Sequence, residues 1–264
     1  MRLFASTFFI LVAGMCLGAI EEYGGAGTGH GTDQTINIDN PNAEMNSFAD
    51  SLATPVLHLP VEGTWRLIRS PGHHRYAFDL VAVDETSRRS MRRSRLLHVL
   101  GRVRVEDAFG WGKPVLAPIT GTVVQAAQDQ QDRKRLSMLR DLWSMVVSSP
   151  AVKQDDISAM GGNHVIIRGE GFYVFLAHLK RDSVSVEKGD EVEMGDVIGL
   201  VGNSGHSLVP HLHLEVFDQI DDLLSANTLP FVIAEYEGWR GRKWLDVQNE
   251  VLKKGEVIRS PVLD

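Results

Sequence analysis

Pro210-His211-Leu212-His213-Leu214-Glu215-Val216 alternates polar and apolar side chains from His211 onward. As a β-strand, this period-two pattern puts His211, His213 and Glu215 on one face and Leu212, Leu214 and Val216 on the other. Two imidazoles then become neighbours through the pleat alone. A His-x-His pair also occurs on partly exposed sheet faces, so its meaning depends on what surrounds it.

Working outward, the surroundings are more short strands. Tyr173-Val174-Phe175-Leu176-Ala177-His178-Leu179 is an apolar run ending in a histidine. Between it and the pair lie Val186-Glu187-Lys188-Gly189, Met194-Gly195-Asp196-Val197-Ile198-Gly199 and Gly202-Asn203-Ser204-Gly205, a ladder of short strands joined by glycine turns. Earlier runs of the same texture are Trp65 to Ile68, Ala77 to Val83, Val115 to Pro118, Gly121 to Val124 and His164 to Ile167. Many short strands separated by turn signals predict a mainly β, compact antiparallel domain.

Composition limits the chemistry. Lys and Arg number 27 against 34 Asp and Glu, a net charge of -7, which argues against a general affinity for nucleic acid or an anionic membrane. The chain has ten histidines and one cysteine. A metal site must therefore be built from imidazole and carboxylate. Pro71-Gly72-His73-His74-Arg75-Tyr76-Ala77-Phe78-Asp79 supplies both. One or both of His73 and His74, with Asp79 and one histidine of the pair, make a three-ligand set with an open position, the arrangement zinc uses to activate water.

The order of these motifs, together with Val115-Leu116-Ala117-Pro118-Ile119-Thr120-Gly121-Thr122-Val123, resembles the lysostaphin-type, or LytM-like, M23 metallopeptidases over roughly residues 60 to 218. The resemblance implies a compact antiparallel sheet related to barrel-sandwich hybrids. It also implies one Zn2+ per chain and hydrolysis of peptide bonds in peptidoglycan stems or cross-bridges. It puts zinc ligation on the early histidine, Asp79 and His213, and proton transfer and oxyanion stabilisation on His178 and His211. Family members commonly show His-x-x-x-Asp, but that spacing lands here on Arg75. His74 and His73 lie five and six residues before Asp79, and the glycine before His73 gives its loop freedom to turn a ligand inward. A site that held no metal would instead mark a catalytically silent regulator or wall-binding protein. No His-Glu-x-x-His helix is present, so a glutamate base of that kind is not expected. Lipoyl and biotinyl carriers share the glycine-turned ladder but need a Met-Lys-Met tip, which this sequence lacks.

The rest of the chain divides as follows. Residues 1–20, with Arg2 before an apolar run from Leu3 to Ile20, read as a secretory signal peptide. An uncleaved anchor and a lipidated Cys16 are the alternatives. All three predict an exported, periplasmic or extracellular protein, and the first leaves no membrane span in the mature chain. Residues 21–51 read as a flexible linker, and His30-Gly31-Thr32-Asp33 within it is a solvated decoy for a metal site. Residues 52–264 form the peptidase-like domain, with insertions at 86–100 and 128–160 and a C-terminal extension at 218–264. The first insertion, rich in arginine, is expected as a solvated loop. In the second, Leu136, Leu139, Trp143, Val146 and Val147 fall on one helical face and predict a helix over about 128–149. The extension is apolar enough to add strands to the same domain. Glu215 is a candidate to orient a metal-binding histidine, while His164 reads as structural and His206 as a groove-rim residue.

Overall fold

A computed structural model describes residues 54–69, 73–86, 88–99, 101–137, 160–221 and 226–261. The expected signal peptide and linker, and most of the expected 128–149 helix, lie outside these residues. The fold is mainly β. In chain order the strands are β1 (Val56–Leu57), β2 (Thr64–Ile68), β3 (Phe78–Ala82), β4 (Val103–Arg104), β5 (Pro114–Leu116), β6 (Gly121–Ala127), β7 (Arg135–Leu136) and β8 (Asn163–Arg168), followed by β9 (Tyr173–Leu179), β10 (Glu191–Val192), β11 (Val197–Leu200), β12 (Leu212–Phe217), β13 (Val232–Arg240), β14 (Lys243–Glu250) and β15 (Val257–Arg259).

One large sheet runs in the order β1-β13-β15-β2-β3-β12-β9-β8-β6-β10, with β14 added to β13. Its pairs are antiparallel except β1 with β13. The strand carrying the histidine pair, β12, therefore sits between β3 and β9, near the middle of the sheet. Every residue of β12 is buried, so the half-exposed alternative for the His-x-His motif does not apply. Leu212, Leu214 and Val216 enter the main core with Leu80, Leu176 and Val174, each contributing about 1.5–3 kcal/mol through apolar burial. The opposite face carries a smaller apolar cluster of Ile166, Phe175, Ala177 and Phe217.

The C-terminal extension supplies β13, β14 and β15. These widen the sheet on the β2 side, and β15 pairs directly with β2.

Two insertion readings change. Residues 128–137 contain no helix. Arg135–Leu136 instead pairs with Val103–Arg104, and Leu136 is buried with Met91, Val103 and Val105. Burial in that cluster outweighs the helical period of the sequence. The arginine-rich segment is likewise more than a solvated loop. Met91 belongs to the same cluster, and a short helix, α1 (Arg95–Val99), follows it. Arg88 stacks 4.2 Å from the Trp239 ring, Arg92 stacks 4.8 Å from Phe109, and Arg93 pairs with Asp107 at 3.3 Å. Among the described residues, no helix is long and apolar enough to cross a membrane.

Candidate active site

The sheet register assembles the site. Asp79 on β3 pairs with His213 on β12, His213 with Ala177 on β9, and Ala177 with His164 on β8. Directly opposed residues share a sheet face, so this row sets Asp79, His213 and His164 on the face away from the main core. Phe175 forms an apolar wall there, with its ring centroid 5.8 Å from that of His213 and 5.4 Å from that of His164.

His213 is held at both nitrogens: Nδ1 lies 3.0 Å from Asp79 Oδ1 and Nε2 lies 3.1 Å from Glu215 Oε2. Burial opposes charge on this ring, but hydrogen bonds to Asp79 and Glu215 outweigh it and the pKa is pushed up to about 9. Burial alone would also raise the Asp79 pKa; the hydrogen bonds and positive charge of His211 and His213 instead hold it well below the usual carboxylate range. His73 reaches the cluster from the loop before β3. Its Nδ1 lies 3.6 Å from Asp79 Oδ2, beyond hydrogen-bond length, and this buried nitrogen has no hydrogen-bond partner among the described residues. Burial lowers the His73 pKa, so its lone pair is available near neutral pH. His74 is exposed and stands outside the group.

Ligand atoms of His73, Asp79 and His213 all lie within 4.8 Å of one another. Two imidazoles and a carboxylate, with a buried nitrogen that no group among the described residues satisfies, fit the donor set and number that zinc takes in an open site.

His178 and His211 stand beside this group. Their ring centroids are 4.6 Å apart, and His211 Nε2 is 3.4 Å from Asp79 Oδ1. Each ring donates Nδ1–H to a backbone carbonyl, His178 to Ser204 at 2.9 Å and His211 to Val209 at 2.7 Å. In the neutral form of each ring the lone pair then sits on Nε2. Burial, then the neighbouring His211 and His213, hold the His178 pKa well below 6.5.

His178 also has a left-handed backbone, with φ 63°. The Gly202-Asn203-Ser204-Gly205 loop clamps it: Gly202 N–H donates to the His178 carbonyl at 3.0 Å, and the Ser204 carbonyl takes the ring. A Cβ at Gly202 would overlap the Lys180 backbone, so this approach requires glycine.

Residues 106–223 match the family model described as peptidase family M23. Over these residues the chain is similar to the M23 peptidases. An uncharacterized metalloprotease of Buchnera aphidicola is 44% identical over 83 residues, covering 28% of this chain and 22% of that protein. Endolysin 2638A of Staphylococcus phage 2638A is 36% identical over 74 residues, covering 27% of this chain and 15% of the endolysin. The chain thus spans less than a quarter of either curated relative. Among solved structures, the catalytic domain of the antimicrobial peptidase lysostaphin from Staphylococcus simulans aligns with TM-score 0.34 and 16% identity, covering 63% of this chain and 88% of that one. The M23 segment contains His178, His211 and His213, while His73 and Asp79 precede it and are joined to it by the β3–β12 ladder.

Sequence reasoning missed the partner on the far side of Glu215. Thr228 Oγ1 donates to Glu215 Oε1 at 2.7 Å. Thr228 follows the strand motif by a loop, and no spacing rule points to it.

Proposed function

We propose that the protein is an exported zinc endopeptidase that hydrolyses peptide bonds of peptidoglycan stems or cross-bridges. The observation that carries this reading is the convergence of His73, Asp79 and His213 to within 4.8 Å of one another, beside two imidazoles each tethered to a backbone carbonyl through Nδ1.

His73, Asp79 and His213 would hold the ion, which when bound supplies Lewis acidity: it polarises a carbonyl and lowers the pKa of water toward neutrality. His211 Nε2, 3.4 Å from Asp79 Oδ1, is placed to take the proton from the attacking water. The Nε2–H so formed is then available to the departing amine. His178 stays neutral in its buried site and orients the water through its Nε2 lone pair. The left-handed backbone and the Ser204 carbonyl fix the direction of that lone pair. The substrate class draws on the M23 segment and on relatives that include a phage endolysin.

The test is metal analysis of the purified protein together with release of new amino termini from purified peptidoglycan. About one zinc per chain and chelator-sensitive cleavage are expected. A zinc-free protein that binds peptidoglycan without cutting it would replace the peptidase with a wall-binding role.

A further inference from the structure

Glu215 is a buried carboxylate on the same face as His213, two residues further along β12. A buried carboxylate needs hydrogen-bond donors for both oxygens. His213 Nε2–H satisfies Oε2 at 3.1 Å, and the Thr228 hydroxyl satisfies Oε1 at 2.7 Å. Thr228 lies beyond the M23 segment, which ends at residue 223.

The backbone places this hydroxyl deliberately. Thr228 forms a β-bridge with Phe217, and Leu229 N–H donates to the Val216 carbonyl at 2.8 Å. One residue earlier, Asn227 is tied twice to Asp218: its backbone N–H reaches Oδ1 at 2.9 Å and its amide nitrogen reaches Oδ2 at 2.7 Å. These bonds hold Asn227 and Thr228 alongside the strand that carries His213 and Glu215.

We infer that Thr228 is a positioning residue of the metal centre: a hydroxyl from outside the M23 segment fixes Glu215, and Glu215 fixes the ring of His213. The inference rests on the zinc reading above. With Glu215 taking Nε2–H, the ring presents Nδ1 toward Asp79 and His73. Losing the hydroxyl frees one Glu215 oxygen, lets the carboxylate rotate, and removes the restraint on the ring. Outer-shell partners of this kind typically contribute about 10–100-fold to metal affinity. The C-terminal extension therefore serves the site as well as the sheet edge.

The experiment measures zinc affinity of the full chain by competition with a chromophoric chelator. Thr228→Val, which keeps the shape and removes the hydroxyl, should weaken binding about tenfold. Thr228→Ser should bind like wild type. Glu215→Ala should weaken binding more, and adding Thr228→Val to it should cost nothing further, because Thr228 acts only through Glu215. Wild-type affinity in Thr228→Val, no rescue by Ser, or additive losses in the double variant would each overturn the inference while leaving the zinc reading intact. A wild-type chain that takes up no zinc would overturn both.

Discussion

Asp79 Oδ1 and His213 Nδ1 lie 3.0 Å apart on residues separated by 134 positions in sequence, and the two residues are direct partners in the β3–β12 ladder. Their separation is fixed by strand pairing rather than by a loop, so two of the three proposed ligands are held by the sheet backbone. The third, His73, enters from a loop. That difference explains why the spacing before Asp79 can depart from the common family pattern without losing the geometry.

His73 and His74 should therefore separate cleanly. His73→Ala removes the buried nitrogen within reach of Asp79, and zinc affinity should fall by more than the ~100-fold upper end of outer-shell losses. His74→Ala alters an exposed side chain and should keep wild-type metal content. Metal analysis after dialysis checks both, and equal zinc in the two variants would remove His73 from the site.

Zinc uptake should release a proton from His213. Asp79 is ionised well below neutrality and His73 is neutral, whereas His213 has a pKa of about 9 before metal binds. His213 is thus the ligand that must give up a proton, from Nδ1. Apparent affinity should rise about tenfold per pH unit up to roughly pH 9 and then level. Calorimetric titration with zinc in buffers of different ionisation enthalpy counts the proton. A pH-independent affinity between pH 7 and pH 9 would contradict the ion-pair geometry around His213.

Much of this was legible in the sequence, for a physical reason. Alternation in Leu212–Phe217 and the glycine turns between short runs depend on local rules, so the strands and the shared face of His213 and Glu215 could be read directly. His178, His211 and His213 could be picked out because they stand at strand ends or in a period-two pattern. What local rules do not carry is register across distant strands. The row from Asp79 through His213 and Ala177 to His164 appears only once β3, β12, β9 and β8 are paired. The same holds for Thr228, whose role comes from a return loop. The helical period does not hold at Leu136, the one position of it among the described residues, where pairing in β7 and burial with Val103 take precedence over amphipathic spacing.

His178 should show its two roles separately. Asparagine tolerates the left-handed backbone better than most residues, so His178→Asn should keep zinc and fold normally while kcat falls about 10²–10⁴-fold. Glycine and alanine both delete the ring but differ at the backbone. With φ at 63°, His178→Gly should be more stable than His178→Ala by about 1 kcal/mol, the reverse of their usual order in regular structure. Denaturant unfolding of the zinc-free variants measures this difference. Alanine proving the more stable would contradict the left-handed geometry.

His164 should govern part of the acid stability without touching the metal. Its Nδ1 lies 2.7 Å from the Gly162 carbonyl, and Nε2 is buried with no partner among the described residues. Burial lowers its pKa from 6.5, only partly offset by the bond to Gly162. The sign follows from linkage: below 6.5 the unfolded chain binds a proton that the folded chain refuses, so stability falls as pH drops from there toward the folded pKa, with a slope of at most about 1.4 kcal/mol per unit. Above that pH the group contributes no pH dependence. His164→Asn keeps a donor for the Gly162 carbonyl and cannot titrate, so its stability curve should be flatter on the acid side, with zinc affinity unchanged. Unfolding free energies of the zinc-free proteins between pH 5 and pH 8 provide the comparison, and parallel acid limbs for variant and wild type would show that His164 does not titrate as its burial requires.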